Sequence, residues 1–147
     1  MDVIISRIFY HALFSTRDQR ESIPAQLQAS LYEMMGQTCR SLGIVLVAAG
    51  GIADHVHVLL WINDDTSVDA AVSNLKSASA EWLHEKGERN FAWQDGYAAF
   101  TVGPDIDQDR EYIEHQERVH PRESYKEEFL RLLEENGIDA GSGVEWD

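Results

Sequence analysis

Cysteine, lysine and long apolar runs are what this sequence has least of. Cys39 is the single cysteine among 147 residues, so no disulfide can close within the chain. A reducing cytoplasm is the expected setting. No stretch of eighteen apolar residues occurs, and no membrane-spanning helix is expected. The opening Met1-Asp2-Val3-Ile4-Ile5 lacks the basic start of a signal peptide. Neither an internal repeat nor a low-complexity tract is present. Lysine appears only at Lys76, Lys86 and Lys126, and 12 basic residues face 26 acidic ones. The formal net charge is −14. Phosphate contacts need Lys and Arg, so this balance argues against nucleic-acid binding. A second reading is a salt-rich cytoplasm, where surplus surface carboxylates keep proteins soluble. At about 1 M salt the Debye length is roughly 3 Å, and diffuse repulsion of DNA then matters little.

What is present suffices for one core. Apolar residues make up 44% of the chain, and the length suits one domain. Residues 1–138 are expected to form it, with 139–147 as a short Gly-rich tail. Val3 to Ser15 reads as a strand. From Ile23 to Leu42, Leu27, Leu31, Met34, Met35, Thr38 and Leu42 recur at helical spacing, with Pro24 in the first turn and Gly43 as the stop. Ile44 to Ala49 and His55 to Ile62 read as two strands joined by a short turn near Gly50 to Asp54. A second helix is expected over Ser67 to Lys86 and a fourth strand over Tyr97 to Val102. A third helix spans Asp105 to His120, capped by Asp105 or Asp107. Ser124 opens a last helix with Glu127 at capping-box spacing. The order β-α-β-β-α-β-α-α begins as an α+β, ferredoxin-like (RRM-like) βαββαβ sandwich.

Two short patterns could carry chemistry. In His55-Val56-His57 the residues two apart on a strand face one side, so both imidazoles share a surface. Such a pair is half of a divalent-metal site, and equally the polar face of an amphipathic strand. On the third helix Tyr112 and Gln116 lie one turn apart and share a face. The amide oxygen of Gln can complete a hard-metal set, and a deprotonated tyrosine is a nucleophile. Alone, each pattern also fits ordinary packing. Together, two His, a Gln and a Tyr suit metal-assisted phosphodiester cleavage.

Here the sequence resembles a known family. Tyr10-His11-Ala12-Leu13-Phe14-Ser15-Thr16-Arg17, Gly50-Gly51-Ile52-Ala53-Asp54-His55-Val56-His57-Val58-Leu59, Leu75-Lys76-Ser77-Ala78-Ser79, Phe91 to Val102 with Trp93-Gln94-Asp95-Gly96-Tyr97, and Tyr112-Ile113-Glu114-His115-Gln116-Glu117 follow in order. Together they are similar to the single-tyrosine HUH transposases of the insertion sequence 200/605 group. Ser124 to Leu133 resembles that family's final helix. The resemblance implies a homodimeric DNA transposase that cleaves and rejoins single-stranded DNA near hairpins. Tyr112 would be the nucleophile, forming a 5′-phosphotyrosine, and His55, His57 and Gln116 would bind Mg²⁺ or Mn²⁺. In that family the tyrosine helix of one subunit often serves the His pair of the other. Three departures stand out: Arg118-Val119-His120 keeps one histidine where the family often has two, the loop at Arg17 and Arg20 is less basic, and the whole chain is acidic.

Arg17, Arg20 and Lys76 are candidate DNA contacts. Trp93 and Tyr97 could stack on a base but suit a core edge better. His11 is expected to make a structural hydrogen bond, Asp54 could orient a ligand histidine, and Cys39 should be buried. Competing functions are a host-adopted hairpin DNA or RNA binder without cutting, and a metal-dependent phosphoesterase that releases its product. Intact Tyr112, His55, His57 and Gln116 favour the transposase.

Overall fold

The structure, a computed structural model, describes residues 8–62, 66–103 and 105–139. The expected start of the first strand at Val3, part of the turn after Ile62 and most of the tail lie outside them. Four strands, β1 (Ile8–Ser15), β2 (Val45–Ile52), β3 (His55–Ile62) and β4 (Ala98–Val102), form one antiparallel sheet in the order β2-β3-β1-β4. With α1 (Gln28–Ser41) between β1 and β2, and α2 (Val68–Glu85) between β3 and β4, this is the ferredoxin-like sandwich expected from the sequence.

One face of the sheet is apolar because every second residue of the central strands is. Ala12 and Phe14 of β1 and Val56, Val58, Leu60 and Ile62 of β3 pack against Leu31, Met35 and Cys39 of α1 and Val72, Leu75 and Leu83 of α2. A 3-10 turn at Ala25–Leu27 leads into α1, and Gly43 and Gly87 close α1 and α2 with left-handed backbone. Cys39 and Trp93 are core residues, with Trp93 Nε1 donating to Ser79 Oγ at 2.9 Å.

The other face is covered by the C-terminal helices. The expected single helix from Asp105 to His120 is two: α3 (Asp107–Glu114) and α4 (Gln116–Val119), broken at His115, whose φ of −122° and ψ of 42° leave the helical region. Its N-cap is Ile106 rather than either aspartate, with no side-chain cap; Asp105 Oδ1 instead accepts from Asp107 N at 3.2 Å. The last helix, α5 (Tyr125–Glu135), has the expected capping box between Ser124 and Glu127. Ile113 of α3 packs with Ala48 and Leu59, while Tyr125, Leu132 and Leu133 of α5 pack with Leu13, Ala98 and Phe100. No helix among the described residues is long and apolar enough to cross a membrane.

Candidate active site

Strand register sets the floor of the site. His57 lies opposite Leu13 of β1 and Gly50 of β2, and His55 lies opposite Ser15 and Ile52. Both imidazoles point to the face under α3–α5 and are fully buried. Gly50 lets the tyrosine helix come close. A Cβ there would stand 1.8 Å from the carbonyl oxygen of Ile113, so only glycine admits α3 at this distance.

Tyr112 and Gln116 converge on that floor as their spacing suggests. The Gln116 amide is buried; its Nε2 donates to Tyr112 O at 3.0 Å, and its Oε1 lies 3.2 Å from His55 Nε2 and 3.0 Å from His120 Nε2. The Tyr112 ring stands edge-on to His57 with centroids 5.8 Å apart. All four expected site residues therefore meet within one chain.

Besides His120, two further residues complete the cluster. Glu128 of α5 is fully buried, and its Oε1 lies 3.0 Å from His57 Nε2, 3.2 Å from His55 Nε2 and 3.1 Å from His120 Nε2. Its other oxygen accepts the Tyr112 hydroxyl in a short hydrogen bond. Arg131, one turn further along α5, donates to the same hydroxyl at 2.8 Å and pairs with Glu123 at 2.7 Å. Sequence reasoning passed over both. The available signal was a glutamate within the stripe Tyr125, Phe129, Leu132 and Leu133, where a helix buries only apolar or paired groups.

Each histidine has its second ring nitrogen fixed. His55 Nδ1 bonds Asp54 Oδ1 at 2.7 Å, His57 Nδ1 bonds His11 Nε2 at 2.7 Å, and His120 Nδ1 bonds the Glu123 carbonyl at 2.8 Å. His11 thus makes the structural hydrogen bond expected of it, and Asp54 orients His55. Burial pushes His11 down to about 3 and His57 down to about 4. Burial would lower His55 too, but the Asp54 and Glu128 carboxylates outweigh it and raise His55 to about 9. Burial would raise Glu128, yet its three histidine partners hold it well below the usual carboxylate range. The Tyr112 phenol is pushed up by burial and by Glu128, with Arg131 opposing. His55, His57, His120 and Glu128 place one ligand atom each within 4.8 Å of one another, a spacing that could hold a metal ion.

The other candidates lie elsewhere. Arg17 and Arg20 line a cleft of about 560 Å³ together with Arg89 of the loop after α2, and Glu88 is the acidic residue in that lining. Lys76 reaches the 94–96 segment, donating to Gln94 O at 2.7 Å and Gly96 O at 2.9 Å. Tyr97 donates to Asp69 at 2.9 Å.

The fold is a ferredoxin-like sheet with a buried His pair beneath the helix that carries Tyr112, and likeness to known proteins gives the family. The IS200-like transposase profile matches residues 4–116, and the chain belongs to that family. Transposases for insertion sequence element IS200 from Salmonella typhimurium strain LT2 and from Salmonella typhi are each 28% identical over 114 residues, 73% of this chain and 75% of theirs. The fold is shared with a candidate transposase from Deinococcus radiodurans R1, at a TM-score of 0.63 and 22% identity over 79% of this chain and 95% of that one. It is shared also with a REP-associated tyrosine transposase whose structure holds a REP hairpin, at a TM-score of 0.57 and 16% identity over 77% and 68%. The matched family segment contains His55, His57, Tyr112 and Gln116 and ends before His120 and Glu128.

Proposed function

We propose that this transposase is of the tyrosine HUH type: it cuts single-stranded DNA at the ends of a mobile element with Tyr112 and rejoins it. The observation that carries this reading is the Tyr112 hydroxyl, hydrogen-bonded to a carboxylate that also touches His57, in the same chain. The Tyr112 oxygen forms a bond to phosphorus while the bond to the 3′ oxygen breaks. The 5′-phosphate stays on the tyrosine, and the departing 3′ oxygen takes a proton from solvent water to end as a 3′-hydroxyl. Glu128 Oε2 lies where the phenolic proton must go, and Arg131 donates to the same oxygen, where it would offset developing negative charge. Rejoining reverses these bonds with another 3′-hydroxyl, so no ATP is needed.

A divalent ion, Mg²⁺ or Mn²⁺, held by His55, His57 and Gln116 would act as Lewis acid on the scissile phosphate. The donor set suits it, because two imidazole Nε2 atoms and an amide oxygen converge in a buried, polar spot. The catalytic unit is residues 1–138, working in the cytoplasm. DNA reaches it past Arg17, Arg20 and Arg89, with the remaining ammonium hydrogen of Lys76 as a minor phosphate contact. The hairpin held by the REP-associated relative supports hairpin-bearing DNA as the partner here. The working form is a homodimer, and the exposed pair Val45 and Trp61 at the open end of β2 and β3 is apolar surface a second copy would cover.

The test is a denaturing gel after incubating the chain with hairpin-bearing single-stranded oligonucleotides and Mn²⁺, at low and molar salt. A covalent protein–DNA band is expected, and Tyr112→Phe is expected to abolish it. A band that persists in the variant overturns the role of Tyr112. Retention of the hairpin with no adduct under any condition would instead make the protein a binder.

A further inference from the structure

Glu128 and His120 lie beyond the residues that the family profile matches, 4–116, yet they share the buried spot with His55 and His57. We infer that they are metal ligands in this chain, so that the ion is held by three imidazoles and a carboxylate supplied from α3–α5 as well as from β3. This rests on the metal-assisted reading above and alters its ligand set, adding two donors to the His pair and Gln116.

The geometry carries the inference in three ways. First, the distances that these hydrogen-bonded groups keep are also those a shared ion would set. For metal–ligand bonds of about 2.1 Å, neighbouring ligand atoms stand roughly 3.0 Å apart in an octahedron and roughly 3.4 Å in a tetrahedron. Glu128 Oε1 stands 3.0, 3.2 and 3.1 Å from the Nε2 atoms of His57, His55 and His120. The four donor atoms all lie within 4.8 Å of one another, close enough to share one ion. Second, all three rings present the same atom. Each Nδ1 is occupied by Asp54, His11 or the Glu123 carbonyl, which fixes the ring orientation and turns each Nε2 toward the common point. Ligand histidines are oriented by this kind of partner. Third, Glu128 divides its oxygens, one toward the histidines and one toward the Tyr112 hydroxyl. A carboxylate bound in this way ties the nucleophile to the metal through a single side chain, and α5 becomes part of the site.

Donor chemistry then sets the selectivity. Three imidazoles and one carboxylate suit Zn²⁺ and Co²⁺ best and the harder Mn²⁺ less, whereas Mg²⁺ prefers oxygen ligands and keeps its waters. The chain should bind Mn²⁺ and Co²⁺ far more tightly than Mg²⁺.

The test reads the metal rather than the reaction. The full chain is stripped with EDTA and titrated with Mn²⁺, following loss of the free-ion EPR signal, and with Zn²⁺ for X-ray absorption of the unsubstituted protein. Three imidazoles in the absorption spectrum are expected; two would overturn the inference without any variant being needed. Glu128→Gln and His120→Ala are each expected to weaken Mn²⁺ binding about tenfold or more. Binding within twofold of the parent, in variants that melt as it does, would overturn it as well. Mg²⁺ in large excess should fail to displace Mn²⁺, and ready displacement counts against the inference. The wider reading fails differently, by absence of the Tyr112 adduct in the gel assay, so the two failures are distinguishable.

Discussion

The two faces of the sheet are built from the same strands and do opposite work. Beneath α1 and α2, Phe14, Val56, Val58 and Leu60 lie in a mainly apolar cluster, and burial supplies most of the stabilisation. Beneath α3–α5, the alternate residues of those strands include His11, His55 and His57, and the covering helices add Gln116 and Glu128, all buried. Buried polar groups cost stability unless each is paired, and the second face pairs His55, His57, His120, Gln116 and Glu128 with one another. The difference shows a division of labour. The apolar face fixes the register that aims the histidines, and the polar face gathers the titratable groups.

That contrast can be broken by substitution. Phe14→Ala, on the apolar face, should cost about 3–5 kcal/mol of unfolding free energy, read by denaturant titration. Adduct formation per folded molecule should not change, and a specific loss of activity would mean the faces are not separable. Gly50→Ala acts on the other face. Its Cβ would meet the Ile113 carbonyl at 1.8 Å, so α3 must move and carry Tyr112 with it. Displacement of a reacting group by about 1 Å can cost about a hundredfold in rate, and a loss of this order in adduct formation is expected with a smaller loss of stability. An unaltered rate would show that the close approach of α3 does not position the tyrosine.

Smaller effects sharpen the comparison at its margins. Arg17→Gln and Arg89→Gln should each weaken single-stranded DNA binding a few-fold and lower the salt slope by about 0.7 for every phosphate left without its cationic partner. Equal slopes in parent and variant would exclude the cleft from the DNA path. The smallest effect is on pH and stability without metal. His11, at about 3, and His57, at about 4, refuse protons that the unfolded chain accepts below about 6.5. Their contribution is therefore whole above that pH and is lost as pH falls. His55, raised to about 9, contributes fully below about 6.5 and loses its contribution as pH climbs through 9. Thermal melts in EDTA should peak near pH 6.5 and drop a few degrees on either side. A Tm rising steadily toward pH 9 would contradict the pairing of His55 with Asp54 and Glu128.

Much of the fold was legible because its signals are local. Alternation along His55 to Ile62, the stripe from Leu27 to Leu42 and the Ser124–Glu127 capping box each depend on neighbours a few residues away. The break at His115 was not legible, since nothing in Asp105 to His120 forbids a continuous helix; it arises where Gln116 turns its amide onto the histidines. Trp93 and Cys39 settled into the core as their residue types suggest. Glu128 was missed because a glutamate on an amphipathic helix normally faces water, and its partners lie 71 and 73 residues earlier in the chain, at His57 and His55.

By itself the sequence determined the order of the strands and main helices and the shared face of His55 and His57, because periodicities of two and 3.6 residues are properties of the backbone. Only the tertiary structure decided that β3 and α3–α5 of a single chain enclose these groups, and that Glu128 and His120 join them. Such meetings depend on how far a helix can settle onto a sheet, and here that distance is set by the missing side chain of Gly50.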